Sequence, residues 1–192
     1  MSDLNSLLQT YRDNSQTERE KGTYFEELIR TYFRHEPRFA DLYSGVWLYS
    51  DWAKEIGSPE FDLSAKDTGI DLVVKTHGTD EYHAIQCKCY AEDYRVQKKD
   101  IDSFFTASGQ KPFTQRIIVT TTNDWSDNAE SSLNNQTPPV YKIDLHDLQQ
   151  SQIEWSKYKP SEIPTLKDKY DPKGHQASAI TNTLLGLVLR GI

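Results

Sequence analysis

Asp71, Gln86 and Lys88 have the types and the spacing that phosphodiester chemistry asks of a protein. Asp71 closes Gly69-Ile70-Asp71, and fifteen positions later Gln86-Cys87-Lys88 sets an amide and an amine two residues apart. Aliphatic residues follow Asp71 up to a polar break, and a second apolar run extends from Tyr82 to Tyr90, so a hairpin of two half-buried strands is predicted across Asp67–Tyr90. Side chains on a strand alternate faces. Gln86 and Lys88 therefore share one face, while Ile85, Cys87 and Cys89 take the other. Asp71 offers a hard anionic oxygen, Gln86 a neutral carbonyl oxygen, and the backbone carbonyl of Cys87 a third. Such a set suits a hard divalent cation that keeps water on its remaining positions. Lys88 is placed to orient that water and to counter charge at a phosphate. Gly69 frees the backbone just before Asp71. On the residues alone, Asp71 as a turn acid and Lys88 as a solvent-facing lysine stand beside this reading.

The elements that must position these groups follow from periodicity. Leu4, Leu7, Leu8 and Tyr11 recur at helical spacing. Thr17-Glu18-Arg19-Glu20 has the form of a capping box and opens a stronger helix, with Phe25, Leu28, Ile29, Tyr32 and Phe33 on one stripe and Pro37 as its stop. Glu26 lies on the flank of that stripe, where an acid is ordinarily a solvated edge residue. A strand is predicted over Val46–Tyr49, a loop over residues 54–66, a helix over Ile101–Ser108 ending at Gly109, and a strand over Gln115–Thr122. A short helix capped by Ser126, a strand over Pro139–Ile143 and a helix from Leu145 to Ile153 complete the order. Helices alternating with strands imply an α/β fold, a mixed sheet flanked by helices, with its last strands parallel.

Composition narrows the setting. A chain of 192 residues suits one domain, with or without an appendage, and no apolar run is long enough to span a bilayer. The N-terminus lacks the basic and apolar regions of a secretory signal, so a cytoplasmic protein without a membrane partner is expected. Cys87 and Cys89 lie too close along one strand to bridge each other and lack the further ligands of a zinc site, so small buried thiols are expected. The net charge of −7 argues against non-specific nucleic-acid binding by the whole surface but allows a local basic patch. Arg95, Lys98 and Lys99, just past the second strand, are the candidates for phosphate contacts; a solvated charged loop is the plainer reading of them.

Gly-Ile-Asp followed by Gln-x-Lys resembles the Mrr-like branch of the PD-(D/E)XK restriction-endonuclease superfamily, in which Gln commonly replaces the second acid. Gly22-Thr23-Tyr24-Phe25-Glu26 resembles that branch's first core helix, which makes Glu26 an accessory acid near the metal. Val46 to Trp52, Ala84 to Lys88, Asp100 to Phe105, Val119 to Thr122 and Ile153-Glu154-Trp155 are similar to the N-terminal nuclease domain of Type ISP restriction-modification enzymes. The resemblance implies a restriction-endonuclease-like fold over residues 1–157 and a magnesium-dependent DNA endonuclease, with manganese as a substitute ion. Asp71, Gln86 and Cys87 would sit at the metal, Lys88 at the water, and Glu26 in support.

In such enzymes the nuclease precedes a helicase-like ATPase, an adenine methyltransferase and a target-recognition domain. Residues 158–174, with Pro160, Pro164 and Pro172, then read as a linker, and residues 175–192, from His175-Gln176, as the start of a helicase-like domain. No G-x-x-x-x-G-K-[ST] motif occurs, so ATP would enter only through domains beyond this chain. The alternative reading is a catalytically silent α/β module that docks DNA or a partner domain, and cleavage of RNA or branched junctions would use the same residues.

Overall fold

The computed structural model describes residues 3–56 and 69–168. A five-stranded sheet runs in the order β1-β2-β3-β4-β5, with β1 Tyr43–Leu48, β2 Leu72–Thr76, β3 Tyr82–Lys88, β4 Phe113–Thr120 and β5 Val140–Ile143. β1 with β2 and β2 with β3 pair antiparallel, while β3, β4 and β5 run parallel. Seven helices surround it among the described residues: α1 Asp3–Asn14, α2 Glu18–His35, α3 Pro37–Ala40, α4 Tyr49–Glu55, α5 Asp102–Ser108, α6 Asp127–Leu133 and α7 Leu145–Gln149. This is the mixed α/β sheet flanked by helices that the alternating periodicities imply.

The central strands are apolar on both faces because each face has its own helical cover. Leu72, Val74, Ile85, Ile117 and Val119 pack with Leu4 and Leu8 of α1 and with Phe25, Leu28, Ile29, Tyr32 and Phe33 of α2. Val73, Ala84 and Ile118 face the other way, onto Trp52 of α4, Phe104 of α5 and Ala129 of α6. A fully buried Leu, Ile or Phe contributes roughly 1.5–3 kcal/mol through apolar burial, so α2 is bound chiefly through its stripe.

Local signals fix the ends of α2. The Thr17 side chain accepts from the Glu20 N–H at 3.1 Å, and Glu20 reaches back to the Gln16 N–H at 2.8 Å, one residue earlier than in the standard box. At the far end the buried Glu36 accepts from Ser151 Oγ at 2.6 Å and from the Gln152 N–H at 2.9 Å. That acid pins the end of α2 to the segment after α7.

Several expectations are corrected. The strand predicted over Val46–Tyr49 runs instead from Tyr43 to Leu48, and Tyr49 opens α4, a helix hidden from sequence by its dense aromatics. The helix predicted to Ile153 ends at Gln149, because Ser151 is drawn to Glu36 and Ile153 bridges to Leu166. Beyond residue 157, Tyr158 is buried, and the Lys167 N–H returns to the Gln152 carbonyl at 2.7 Å. Residues 57–68, with Asp67 and most of the loop expected there, lie outside the described residues. So do residues 169–192, with the rest of the linker and the helicase-like start.

One buried histidine gives the fold a pH dependence. His83 is 5 % exposed, and its Nδ1 lies 3.0 Å from the Tyr43 hydroxyl. Burial lowers its pKa, against a smaller opposing effect of Glu81. The unfolded chain therefore binds more protons below the ordinary value of about 6.5, and stability present above that pH is lost as pH falls through it. His35, lowered by burial and by Arg34, acts with the same sign. Urea unfolding between pH 7.5 and 5 should show a falling stability, with a shallower slope in His83→Gln, whose amide can still meet Tyr43.

Candidate active site

Asp71 is fixed by its main chain on both sides. Its N–H donates to the Ile85 carbonyl at 2.9 Å, and its carbonyl accepts from the Tyr49 N–H at 2.8 Å. β3 and the first residue of α4 thus hold the one carboxylate at the start of β2. Oδ2 then accepts from the Cys87 N–H at 2.6 Å, a short charge-assisted bond at the end of β3. In an antiparallel strand a residue's N–H and C=O point to the same edge. The Cys87 carbonyl therefore lies on the edge that Asp71 occupies. The neighbouring Lys88 carbonyl turns the opposite way, accepting from the Thr121 N–H at 3.2 Å.

Gln86 is fully buried, on the face of Ala84 rather than that of Cys87, as strand alternation predicts. Its Nε2 donates to the Gly69 carbonyl at 3.0 Å, which fixes which end of the amide is oxygen. Oε1 is left buried with no hydrogen-bond partner. A buried amide oxygen without a donor costs roughly 1–3 kcal/mol, a cost that a ligated cation removes. Among the described residues no three His, Cys, Asp or Glu side chains gather as a metal set. This end of the sheet holds one acid oxygen, one buried amide oxygen without a donor and one main-chain carbonyl, donor types that fit a hard divalent ion.

Glu26, Asp71 and Lys88 all act electrostatically on Cys87. Burial, then the charges of Asp71 and Glu26, push its thiol up, while Lys88 pulls it the other way. Glu26 extends from α2, one turn after Gly22, where an added Cβ would lie at ordinary contact distance, 3.8 Å, from its Oε1. Cys87 and Cys89 are free thiols, half-buried rather than fully buried as expected, and desolvation raises the pKa of each.

The basic trio past β3 is arranged differently. Arg95 lies 3.4 Å from Asp124 and 3.6 Å from Asp127, and Lys98 lies 2.7 Å from Asp102. Lys99 is exposed and forms no ion pair among the described residues. Sequence reasoning missed Tyr49, whose N–H locks Asp71, and Ser103, which helps enclose Gly69. Both fall in stretches marked only by family likeness, and their contacts come from the folding of distant segments.

Gly69 is the tightest position in the site. Its φ is +76°, and an added Cβ would lie 3.3 Å from Gln86 Nε2 and 3.3 Å from Ser103 Oγ. Gly78, at φ +82° with open space around it, isolates the backbone effect. Gly78→Ala should lose about 1–2 kcal/mol by left-handed strain alone. Gly69→Ala should lose more in urea denaturation, because the Gln86 amide must also shift.

A family model described as restriction endonuclease matches residues 34–164. No curated protein matches the chain. Among solved structures, the ATP-dependent Type ISP restriction-modification enzyme LlaBIII bound to DNA is 31% identical, with a TM-score of 0.69 over 86% of this chain. The chain spans 10% of that protein's length. MspJI restriction endonuclease in complex with a 27-mer oligonucleotide aligns at 15% identity and a TM-score of 0.34, over 70% of this chain and 32% of its own. The family model covers more than half of the sequence, including β1 to β5, Asp71, Gln86 and Lys88, and the chain belongs to the restriction endonuclease family.

Proposed function

We propose that this chain is a divalent-metal-dependent DNA endonuclease domain of a larger, ATP-driven restriction-modification polypeptide. The observation that carries the reading is the buried, donorless Oε1 of Gln86 at the end of β3, next to the residue whose N–H holds the Asp71 carboxylate. The family assignment supports nuclease chemistry, and the DNA-bound Type ISP enzyme supports DNA as substrate. Helicase-like, methyltransferase and target-recognition domains would lie in the remainder of such a polypeptide.

Asp71 Oδ, Gln86 Oε1 and the Cys87 carbonyl would hold magnesium, with manganese as a substitute. When bound, the cation stabilises charge at the phosphate and lowers the pKa of water. Lys88 neutralises a non-bridging phosphate oxygen and orients the attacking water from the face it shares with Gln86. Glu26 accepts a hydrogen bond from that water and restrains its approach. Attack forms the new P–O bond as the in-line P–O bond breaks; the departing oxygen keeps the electron pair and takes up a proton. Burial of Gln86 and the apolar cover of α4 and α5 keep bulk water from the inner wall of the site.

Supercoiled plasmid incubated with the protein should be nicked in magnesium or manganese and left intact in EDTA. Asp71→Ala and Lys88→Ala should each lose about 100-fold or more of that activity, and Glu26→Gln about tenfold. Calorimetric titration with manganese gives an independent readout, since Asp71→Ala should lose the binding isotherm. Nicking that survives both Asp71→Ala and Lys88→Ala would overturn the assignment and favour the silent docking module.

A further inference from the structure

The outer edge of β1 ends the sheet on the side away from β5, with α2 on one face and α4 on the other. The Val46 carbonyl does not serve β2; it accepts from Arg34 Nη2 at 2.7 Å. In an antiparallel strand the N–H of a residue points to the same edge as its carbonyl, so the Val46 N–H also faces outward. It meets no acceptor among the described residues. Val46 is 6 % exposed, which leaves that N–H little water as well. A covered main-chain N–H without a partner is rare.

A groove of about 330 Å³ follows this edge, lined by Arg34 and the consecutive residues 43–47. A second, of about 310 Å³, shares Arg34 and Trp47 with it and is bordered by Arg30, Asp51, Lys54 and Glu55. The charges there are mixed and partly matched. Arg30 pairs with Glu27 at 2.6 Å, and Trp47 Nε1 donates to Glu55 at 2.9 Å. Such walls offer no excess of positive charge to a nucleic-acid backbone; they suit a polypeptide, whose side chains can answer either sign. Arg34 alone among the three lining cations is half-spent: it holds a carbonyl and has no carboxylate partner among the described residues. A second copy of the chain is the poorer occupant. Two β1 edges paired about a two-fold axis normal to the sheet would set α2 beside its mate, with Arg34 against Arg34.

We infer that the β1 edge docks an extended, acidic segment of a protein partner as an added strand. The partner's main chain takes the Val46 N–H and, by displacing Arg34, the Val46 carbonyl. The released guanidinium then binds a carboxylate on the α2 side of the added strand, while alternate, apolar side chains lie along Trp47 on the α4 side. Until such a strand arrives, Arg34 keeps the edge from pairing indiscriminately. β1 runs directly into α4, whose Tyr49 N–H holds the Asp71 carbonyl, so the partner sits on the strand that leads to the candidate site. The surface is separate from the cleavage chemistry, and its test needs no nicking.

The probe is a labelled, end-blocked peptide of about eight residues that alternates glutamate and valine, read by fluorescence anisotropy and amide hydrogen exchange. It should bind, and the Val46 amide should then exchange about tenfold more slowly. Lysine in place of glutamate, or N-methylation of alternate peptide amides, should weaken binding about tenfold or more. These changes leave the protein untouched, so the outcome does not depend on how a variant folds. Arg34→Ala should remove the preference for glutamate over glutamine in the peptide, and Arg34→Lys should retain it. No binding of the glutamate peptide, equal binding of the lysine or N-methylated peptide, or an unprotected Val46 amide in the complex would overturn the proposal. A Val46 amide already protected in the chain alone would also overturn it. Protection that rises with protein concentration would assign the edge to a second copy, and protection independent of concentration to the chain's own residues 169–192.

Discussion

Asp71 is the residue through which sheet and site become one object. Its main chain is shared between the Ile85 carbonyl of β3 and the Tyr49 N–H of α4, and its carboxylate closes onto the Cys87 N–H. The same three contacts therefore set the register of β2 on β3, the start of α4, and the position of the anionic oxygen. A one-residue slip would reverse every side chain of β2 between its two apolar layers, so burial on both faces enforces the register that the chemistry needs.

The two helices nearest the site meet different physical demands. α2 is long, capped at Thr17 and pinned at Glu36, and it carries most of the cover on one face. It brings Glu26 to the end of β3 as a by-product of packing Phe25 and Ile29. α4 is short and depends on Trp52, which is fully buried on the opposite face. The site thus lies where two separately stabilised layers come together at one end of the sheet, which suits a centre that must hold charged groups without losing its shape.

Much of this was legible in the sequence. The alternation Ile85-Gln86-Cys87-Lys88 gave the faces of β3 correctly, and Gly-Ile-Asp marked the strand entry. The capping residues Thr17 and Ser126 announced the helices that they begin. What was hidden depends on pairing between distant segments. Tyr49 reads as the end of the Val46–Tyr49 strand because aromatics favour strands, and only the bond to Asp71 shows that a helix starts there. Arg95 and Lys98 read as free cations because Asp124 and Asp127 arrive from beyond β4, and Asp102 from the first turn of α5.

Gln86 has a consequence for how such a site can change over time. Its Nε2 is committed to the Gly69 carbonyl, at a glycine whose backbone conformation other residues resist. Replacing the amide by glutamate would set a carboxylate oxygen against that carbonyl, two acceptors with no proton between them. The amide at position 86 is thus matched to the turn at position 69, and a carboxylate there would need a differently turned entry to β2.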